Sequence, residues 1–385
     1  MIKQIIRNVV SGHYYNRYIE RRAFLSSYNY ARQYISKHPC PSLSSELKEE
    51  IDAYWSQYGI KFPDYTWHEM YYAATGIVDC RFIPDPIVGA LYHYYNSQNK
   101  ISGWDDKNLY EKFVSNVNWP KSICHFMHGK LYDTNWNEYF TDSSSINKFV
   151  EIISQSVKFP CDIILKKASD TAFGKGVKKY HIECCSDIES IIKENNSHDF
   201  IMQECIAQHD TLSIFNSSSV NVFRIITYRH GNDVLHLSTS LRFGLEGKFT
   251  DVVFVDGKEI VNVVGVNNDG TFKDRHISLD GTEPLMHNVD GLLIPNYDKL
   301  ISMAKEGHKQ LYYFDVVGWD YTIDKYGNPI CIEYNILWPG TILYQYANGP
   351  YAGKYTDAFL EPLKIPEVRS HIPNKYIIKD FTNKL

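Results

Sequence analysis

The chain changes the rhythm of its apolar and polar positions as it proceeds. Ile2, Ile5, Ile6, Val9 and Val10 recur at helical spacing with basic residues between them, which predicts an amphipathic helix within residues 1–35 packed on the protein's own body, with a membrane surface as the competing reading. Pro39 and Pro41 stop it. Ser44 or Ser45 can cap the next helix, and Glu49, Glu50 and Asp52 near its first turns suit the helix dipole. From there to about residue 150 the pattern reads mainly as helices and loops, broken by Pro84, Pro86 and Pro120. After Lys148, β-rich runs over residues 161–165, 219–228 and 233–242 are separated by Gly, Asn and Asp turns. In the last of these, Leu235, Leu237, Thr239 and Leu241 alternate with His236, Ser238, Ser240 and Arg242, giving one face to pack and one to meet a ligand. A helix over 297–311 then leads into extended segments 312–324 and 330–336 joined by a turn, a hairpin. The fold class expected is α+β.

Composition narrows the function. The chain has 385 residues, 44% hydrophobic, enough for a sizeable core in about two or three domains. With 40 Lys+Arg against 45 Asp+Glu, the net charge of −5 lacks the basic excess of a nucleic-acid binder. Eight cysteines without a CxxC pair argue for a reducing compartment rather than a disulfide framework or zinc site. No apolar run nears the ~20 residues of a membrane span. Lys3, Arg7, His13 and Arg17 interrupt any cleavable leader, so a cytoplasmic protein is expected.

Three constellations carry possible chemistry. In the first, a strand ending in Lys166 and Lys167 is followed by Phe173-Gly174-Lys175-Gly176-Val177, where ammonium groups and backbone N–H groups can hold phosphate oxygens. This is neither a Walker A loop nor a GxGxxG fingerprint, and a surface hairpin with solvated lysines is the competing reading. In the second, Glu333 and Asn335 are two residues apart on one predicted strand and Asp320 lies on its neighbour, so three hard oxygen donors suited to Mg2+ can converge. Glu333 sits between Ile332 and Tyr334, where an unpaired carboxylate is costly. The third joins Gln203, Glu204 and Ile206 to Asn221 and Arg224; the last two differ in strand parity, so sharing one site requires a bulge or twist. Arg224, flanked by apolar residues, fits a phosphate or an internal carboxylate equally well.

Taken in order, the lysine strand, Gly174-Lys175-Gly176, Gln203-Glu204, Asn221 with Arg224, Gly318-Trp319-Asp320 and Glu333-x-Asn335 resemble the ATP-grasp superfamily, and within it the sugar-transfer-associated group found beside bacterial polysaccharide synthesis. The resemblance covers roughly residues 160–350, with a weaker echo at Asp106-Lys107-Asn108. It implies two α+β lobes clamping ATP, preceded by a mainly helical region: residues 1–150 helical, 151–210 the small lobe, 211–385 the large lobe and tail. Lys166 or Lys167 would contact the α- and β-phosphates under a loop containing Gly174, Lys175 and Gly176. Gln203, Glu204 and Ile206 would meet adenine. Arg224, Arg242 and Asn221 would steady the transferred phosphate, and Asp320, Glu333 and Asn335 would hold Mg2+. The implied reaction activates a carboxylate as an acyl phosphate and passes it to an amine or hydroxyl of a small-molecule or glycan-linked acceptor. Association with polysaccharide-synthesis enzymes goes with it. The competing readings are an ATP-binding regulatory or scaffold protein and a sugar kinase. After Arg242 the chain departs from the family pattern, reading Thr250-Asp251-Val252-Val253 and later Asp256-Gly257.

Overall fold

A computed structural model describes residues 12–169, 176–255, 258–278, 289–338 and 340–381. The apolar series Ile2 to Val10, Gly174, Lys175, Asp256 and Gly257 lie outside them. The described chain begins with four helices, α1 (Gly12–Lys37), α2 (Ser45–Ser56), α3 (Thr66–Thr75) and α4 (Asp85–Tyr95). Ser44 caps α2, its hydroxyl accepting from the Leu47 N–H at 3.2 Å. The helices enclose an aromatic core around Trp55, Trp67, Tyr71 and Tyr92. Buried rings need partners for their polar tips: the Trp55 indole donates to the Cys80 carbonyl at 2.8 Å and the Tyr71 hydroxyl to Ile83 O at 3.2 Å. All eight cysteines are free thiols. Among the described residues no helix is long and apolar enough to cross a membrane.

The first sheet combines β1 (Ser122–Met127), β2 (Lys130–Tyr132), β3 (Glu138–Tyr139), β4 (Cys161–Lys167), β5 (Val177–Ile182) and β6 (Phe200–Glu204). Their spatial order is β3-β2-β1-β6-β4-β5, with every pairing antiparallel. Residues 122–139, whose sequence reads as helix and loop, supply three of these strands; runs of six, three and two residues are too short to display a period of two. Helices α5 (Ser143–Ser154) and α6 (Cys185–Asn195) cover one face. There Ile163, Leu165, Phe200 and Met202 pack against Phe149, Val150, Ile188 and Ile192. Strand alternation therefore turns Ile164 and Lys166 to the opposite face.

The second sheet has the order β12-β11-β8-β7-β13-β14, built from β7 (Val222–His230), β8 (Asp233–Phe243), β11 (Asn262–Val266), β12 (Phe272–Ser278), β13 (Val316–Ile323) and β14 (Pro329–Asn335), with a small hairpin of β9 (Val253–Val255) and β10 (Lys258–Ile260) beside it. Helix α7 (Tyr297–Lys309) packs Leu300 and Ala304 against Phe223, Ile225, Leu241 and Trp319. Two register shifts set which side chains reach the other face. Between β7 and β8 the pairing jumps from Ile226↔Ser238 to Thr227↔His236, leaving Leu237 unopposed. His236 consequently joins the α7 side, its Nε2 2.8 Å from Thr239 Oγ1, which also accepts from the Tyr297 hydroxyl at 3.1 Å. This corrects the regular alternation expected from the sequence, in which His236 shares a face with Arg242. Between β13 and β14, Asp320 opposes Glu333 while Tyr321 opposes Cys331, so Ile332 is the extra residue. That bulge lets Cys331 point into the core while Glu333 and Asn335 stand with Asp320.

Asn96, fully buried after α4, ties the helical region to the second sheet. Its amide donates to Val316 O at 2.8 Å and Ile336 O at 2.6 Å, and its oxygen accepts from the N–H groups of Asp315 and Val316 at 3.0 and 3.1 Å. Replacing Asn96 by alanine strands buried donors and acceptors and is expected to cost about 3 kcal/mol in urea unfolding. A loss below about 1 kcal/mol would show that water takes over those bonds.

Candidate functional site

The faces turned away from α5, α6 and α7 meet across a cavity of about 480 Å³. Part of its wall is apolar, formed by Ile164, Val177, Ile206, Val222, Val261 and Ile332. Gln203, Glu204 and Ile206 also line it. The N–H of Glu204 donates to Lys121 O at 2.9 Å and that of Cys205 to Asp162 O at 3.1 Å, while the Glu204 carboxylate pairs outward with Lys121 at 2.6 Å.

The rest of the wall is ionic. Asp320 opposes Arg224 on one side and Glu333 on the other, so the three share a face by register alone. Arg224 grips Asp320 through Nε at 2.6 Å and Nη2 at 3.2 Å. Arg242 Nη2 reaches Asp320 at 3.0 Å and Asp251 at 2.8 Å. Asn335 donates its amide to Asp320 Oδ2 at 3.3 Å. Arg224 and Arg242 also flank Tyr344, one guanidinium 5.5 Å from the ring centroid and the other 3.5 Å from the hydroxyl. Burial opposes the charge on Asp320, yet Arg224 and Arg242 outweigh it and hold the carboxyl well below its usual range. Glu333 goes the other way: burial raises its pKa, and Asp320 adds to the rise against the pull of Lys107. The sheet thus holds one carboxylate gripped by two arginines beside one whose nearest cation is the Lys107 ammonium at 3.8 Å.

Lys166 lines this cavity together with Lys107, whereas Lys167, the next residue on β4, is not among the lining side chains. Desolvation pushes the Lys166 ammonium down to about 8, with Glu333 drawing it back up. Gly176, at φ 80, begins the return into β5, and its carbonyl accepts from the Lys167 N–H at 3.0 Å.

Asn221 does not join the group. Its amide donates to the carbonyls of Leu212 and Asn216 at 2.7 and 2.8 Å and to Gln208 Oε1 at 3.1 Å, bracing the loop ahead of β7. Sequence reasoning missed three charged members of the cavity, Asp85, Lys107 and Asp251. Lys107, 8% exposed, comes from the segment between the helices and β1 and stands 3.8 Å from Glu333. Its one signal was the Asp106-Lys107-Asn108 echo. Asp251, in the stretch that departs from the family pattern, is the second carboxylate on Arg242.

Comparison with known proteins places this arrangement in context. No curated protein matches the chain. Among solved structures, D-alanyl-alanine synthetase A from Vibrio cholerae shares 11% identity over 69% of this chain and 66% of its own, with a TM-score of 0.40. The VanG D-Ala:D-Ser ligase of Enterococcus faecalis shares 12% over 67% and 60% (TM-score 0.39). The ATP-grasp ligase PsnB, complexed with a minimal precursor, shares 13% over 69% and 63% (TM-score 0.38). The chain thus spans less than two thirds of the length of each of these structures. The family model for sugar-transfer associated ATP-grasp proteins matches residues 89–358, taking in β1 to β14 and every cavity residue named above, and the chain belongs to that family.

Proposed function

We propose that the protein is an ATP- and Mg2+-dependent ligase that activates a carboxylate as an acyl phosphate and joins it to a sugar or sugar-linked acceptor in polysaccharide biosynthesis. The observation that carries this reading is the convergence of Asp320, Glu333 and Asn335 with Lys107, Lys166, Arg224 and Arg242 beside an apolar slot. The residues fit the reactants. The slot suits a base, the four cations suit a triphosphate, and Glu333 is a hard donor whose charge burial and Asp320 oppose. Arg242 Nε is buried with no hydrogen-bond partner among the described residues, a donor left for an anion.

Glu333, Asn335 and Asp320 would hold Mg2+, which when bound supplies compensation for phosphate charge. In the chemistry proposed, a substrate carboxylate oxygen attacks the γ-phosphorus and ADP departs with the bonding pair. The acceptor then attacks the acyl carbon and phosphate leaves. No side-chain nucleophile is required. Lys166 and Lys107 would absorb charge on the phosphate oxygens, and Arg224, locked by Asp320, would present a fixed dipole that needs no reorganisation. Release of ADP and phosphate, dependent on an added carboxylate, tests the reading. Failure of every carboxylate and acceptor pool to elicit turnover would sink it.

The ion pair between Arg242 and Asp251 favours one second reading, an ATP-binding regulatory protein with reduced chemistry, because it occupies an arginine the transfer step would use. Calorimetric ATP binding without hydrolysis or transfer distinguishes it, and a stable phosphorylated acceptor would instead mark a kinase.

Lys166 provides a pH test. Its ammonium in the free protein is lost as pH rises through about 8, and a bound phosphate would favour the charged form, so ATP affinity must fall with rising pH. Between pH 7 and 9.5 calorimetry should show a weakening of about tenfold or more in the native protein. Lys166→Arg, which keeps its charge over this range, should remove most of that dependence; an unaltered pH profile in the variant would exclude Lys166 as the phosphate contact.

A further inference from the structure

Every other carboxylate lining the cavity has a cation: Asp320 has Arg224 and Arg242, Asp251 has Arg242, Glu333 has Lys107 and Glu204 has Lys121. Asp85 is the exception. It is the first residue of α4, it lines the cavity, and its side-chain partner among the described residues is the hydroxyl of Thr341, which donates to Oδ1. No cation among the described residues pairs with it. A half-buried carboxylate whose side-chain partner is a single hydroxyl is a group that an incoming cation would relieve. Burial accordingly pushes its carboxyl up to about 6.

The surface beside Asp85 has a shape of its own. Gly89 stands one helical turn further along α4, on the same face. A methyl group there would lie 2.5 Å from the Trp338 ring, so the missing side chain is what lets the indole lie against the helix. Tyr92, a further turn on, meets the same ring edge-on at 5.8 Å. Trp338 nevertheless remains 42% exposed, with part of it lining the cavity. Asp85 therefore sits beside a fixed aromatic platform.

We propose that Asp85 is a catalytic residue that receives a proton from a primary-amine acceptor, whose body rests against Trp338. The inference rests on the ligase reading and narrows its acceptor class from amine or hydroxyl to amine. The amine would arrive as an ammonium ion and pair with the Asp85 carboxylate. An Asp85 oxygen takes one proton of the ammonium, and the freed nitrogen lone pair attacks the acyl carbon of the acyl phosphate. The C–O bond to phosphate breaks, its electron pair leaves with phosphate, and the second surplus N–H proton goes to the departing phosphate. A hydroxyl acceptor would bring no charge to offset the Asp85 carboxylate.

The test sets two nucleophiles against each other in one mixture of ATP, Mg2+ and a carboxylate pool. Hydroxylamine, neutral at pH 7, traps an acyl phosphate without needing a base. Glucosamine, ethanolamine and free amino acids serve as ammonium-bearing probes, and methyl glucoside as the hydroxyl control. The mass-spectrometric ratio of amide to hydroxamate should fall about 100-fold or more in Asp85→Asn. Being internal to each protein, that ratio is insensitive to partial misfolding. In equilibrium binding, glucosamine but not methyl glucoside should bind more weakly to the variant. An unchanged ratio, hydroxamate without amide from any amine, or an ester of methyl glucoside would each overturn the assignment. Absence of hydroxamate from the native protein as well would instead refute the ligase reading and the inference with it.

Discussion

Glu333→Gln should reduce ATP-dependent turnover by about 10²–10³-fold, the scale set by removing one preorganised charged contact from a transition state. Glutamine preserves the volume and one oxygen but removes the charge, and Glu333 is the carboxylate whose charge burial and its neighbour Asp320 oppose. Asn335 and Asp320 would then be left to hold the cation, one neutral and the other already committed to two arginines. The specific sign of this role is in Mg2+ dependence: calorimetric ATP affinity should respond to Mg2+ in the native protein and hardly at all in the variant. Turnover and Mg2+ response both equal to native would remove Glu333 from the metal site.

Asp320→Ala should be the most destabilising single change in the cavity. It leaves two buried guanidinium groups facing each other without their shared carboxylate, a loss on the order of 3–5 kcal/mol in chemical unfolding at pH 7. The pH dependence follows from the depressed acidity of this carboxyl. Its stabilising contribution is present above the unfolded pKa of about 4 and fades as pH falls toward the folded value, so native and variant stabilities should draw together in acid. Arg224→Met added to Asp320→Ala should recover part of the loss, because it removes a buried guanidinium deprived of its principal carboxylate. A double variant no more stable than Asp320→Ala would show that packing, rather than stranded charge, causes the loss.

The parts of this site legible in the sequence are those governed by strand parity. Glu333 and Asn335 could be grouped because they are two apart, whereas Lys166 and Lys167 could not be told apart, because Ile163, Ile164 and Leu165 before them are all apolar. Asp320 could be added because the hairpin turn brings its strand alongside. Parity fails where a strand carries an extra residue. The bulge at Leu237 moves His236 to the helix side, and nothing in an apolar-polar pattern marks it, since Leu237 keeps the alternation with His236 and Ser238 unbroken. Asn221 shows a different limit: a polar side chain near the correct strand is spent on loop carbonyls, which composition cannot reveal. Lys107 and Asp85 come from stretches joined to the sheets only by tertiary packing, so no local periodicity connects them to Glu333 or Thr341. The family's characteristic order was nonetheless readable, because it depends on which residue types follow one another along the chain.

Lys107 gives the protein a mechanical property. Its N–H is anchored to the Ala168 carbonyl just past β4 at 2.9 Å, while its ammonium reaches Glu333 on the second sheet at 3.8 Å. One residue therefore ties the backbone beside the first sheet to a carboxylate on the second, so any change in the separation of the two sheets would be registered as a change in the distance between the Lys107 ammonium and Glu333.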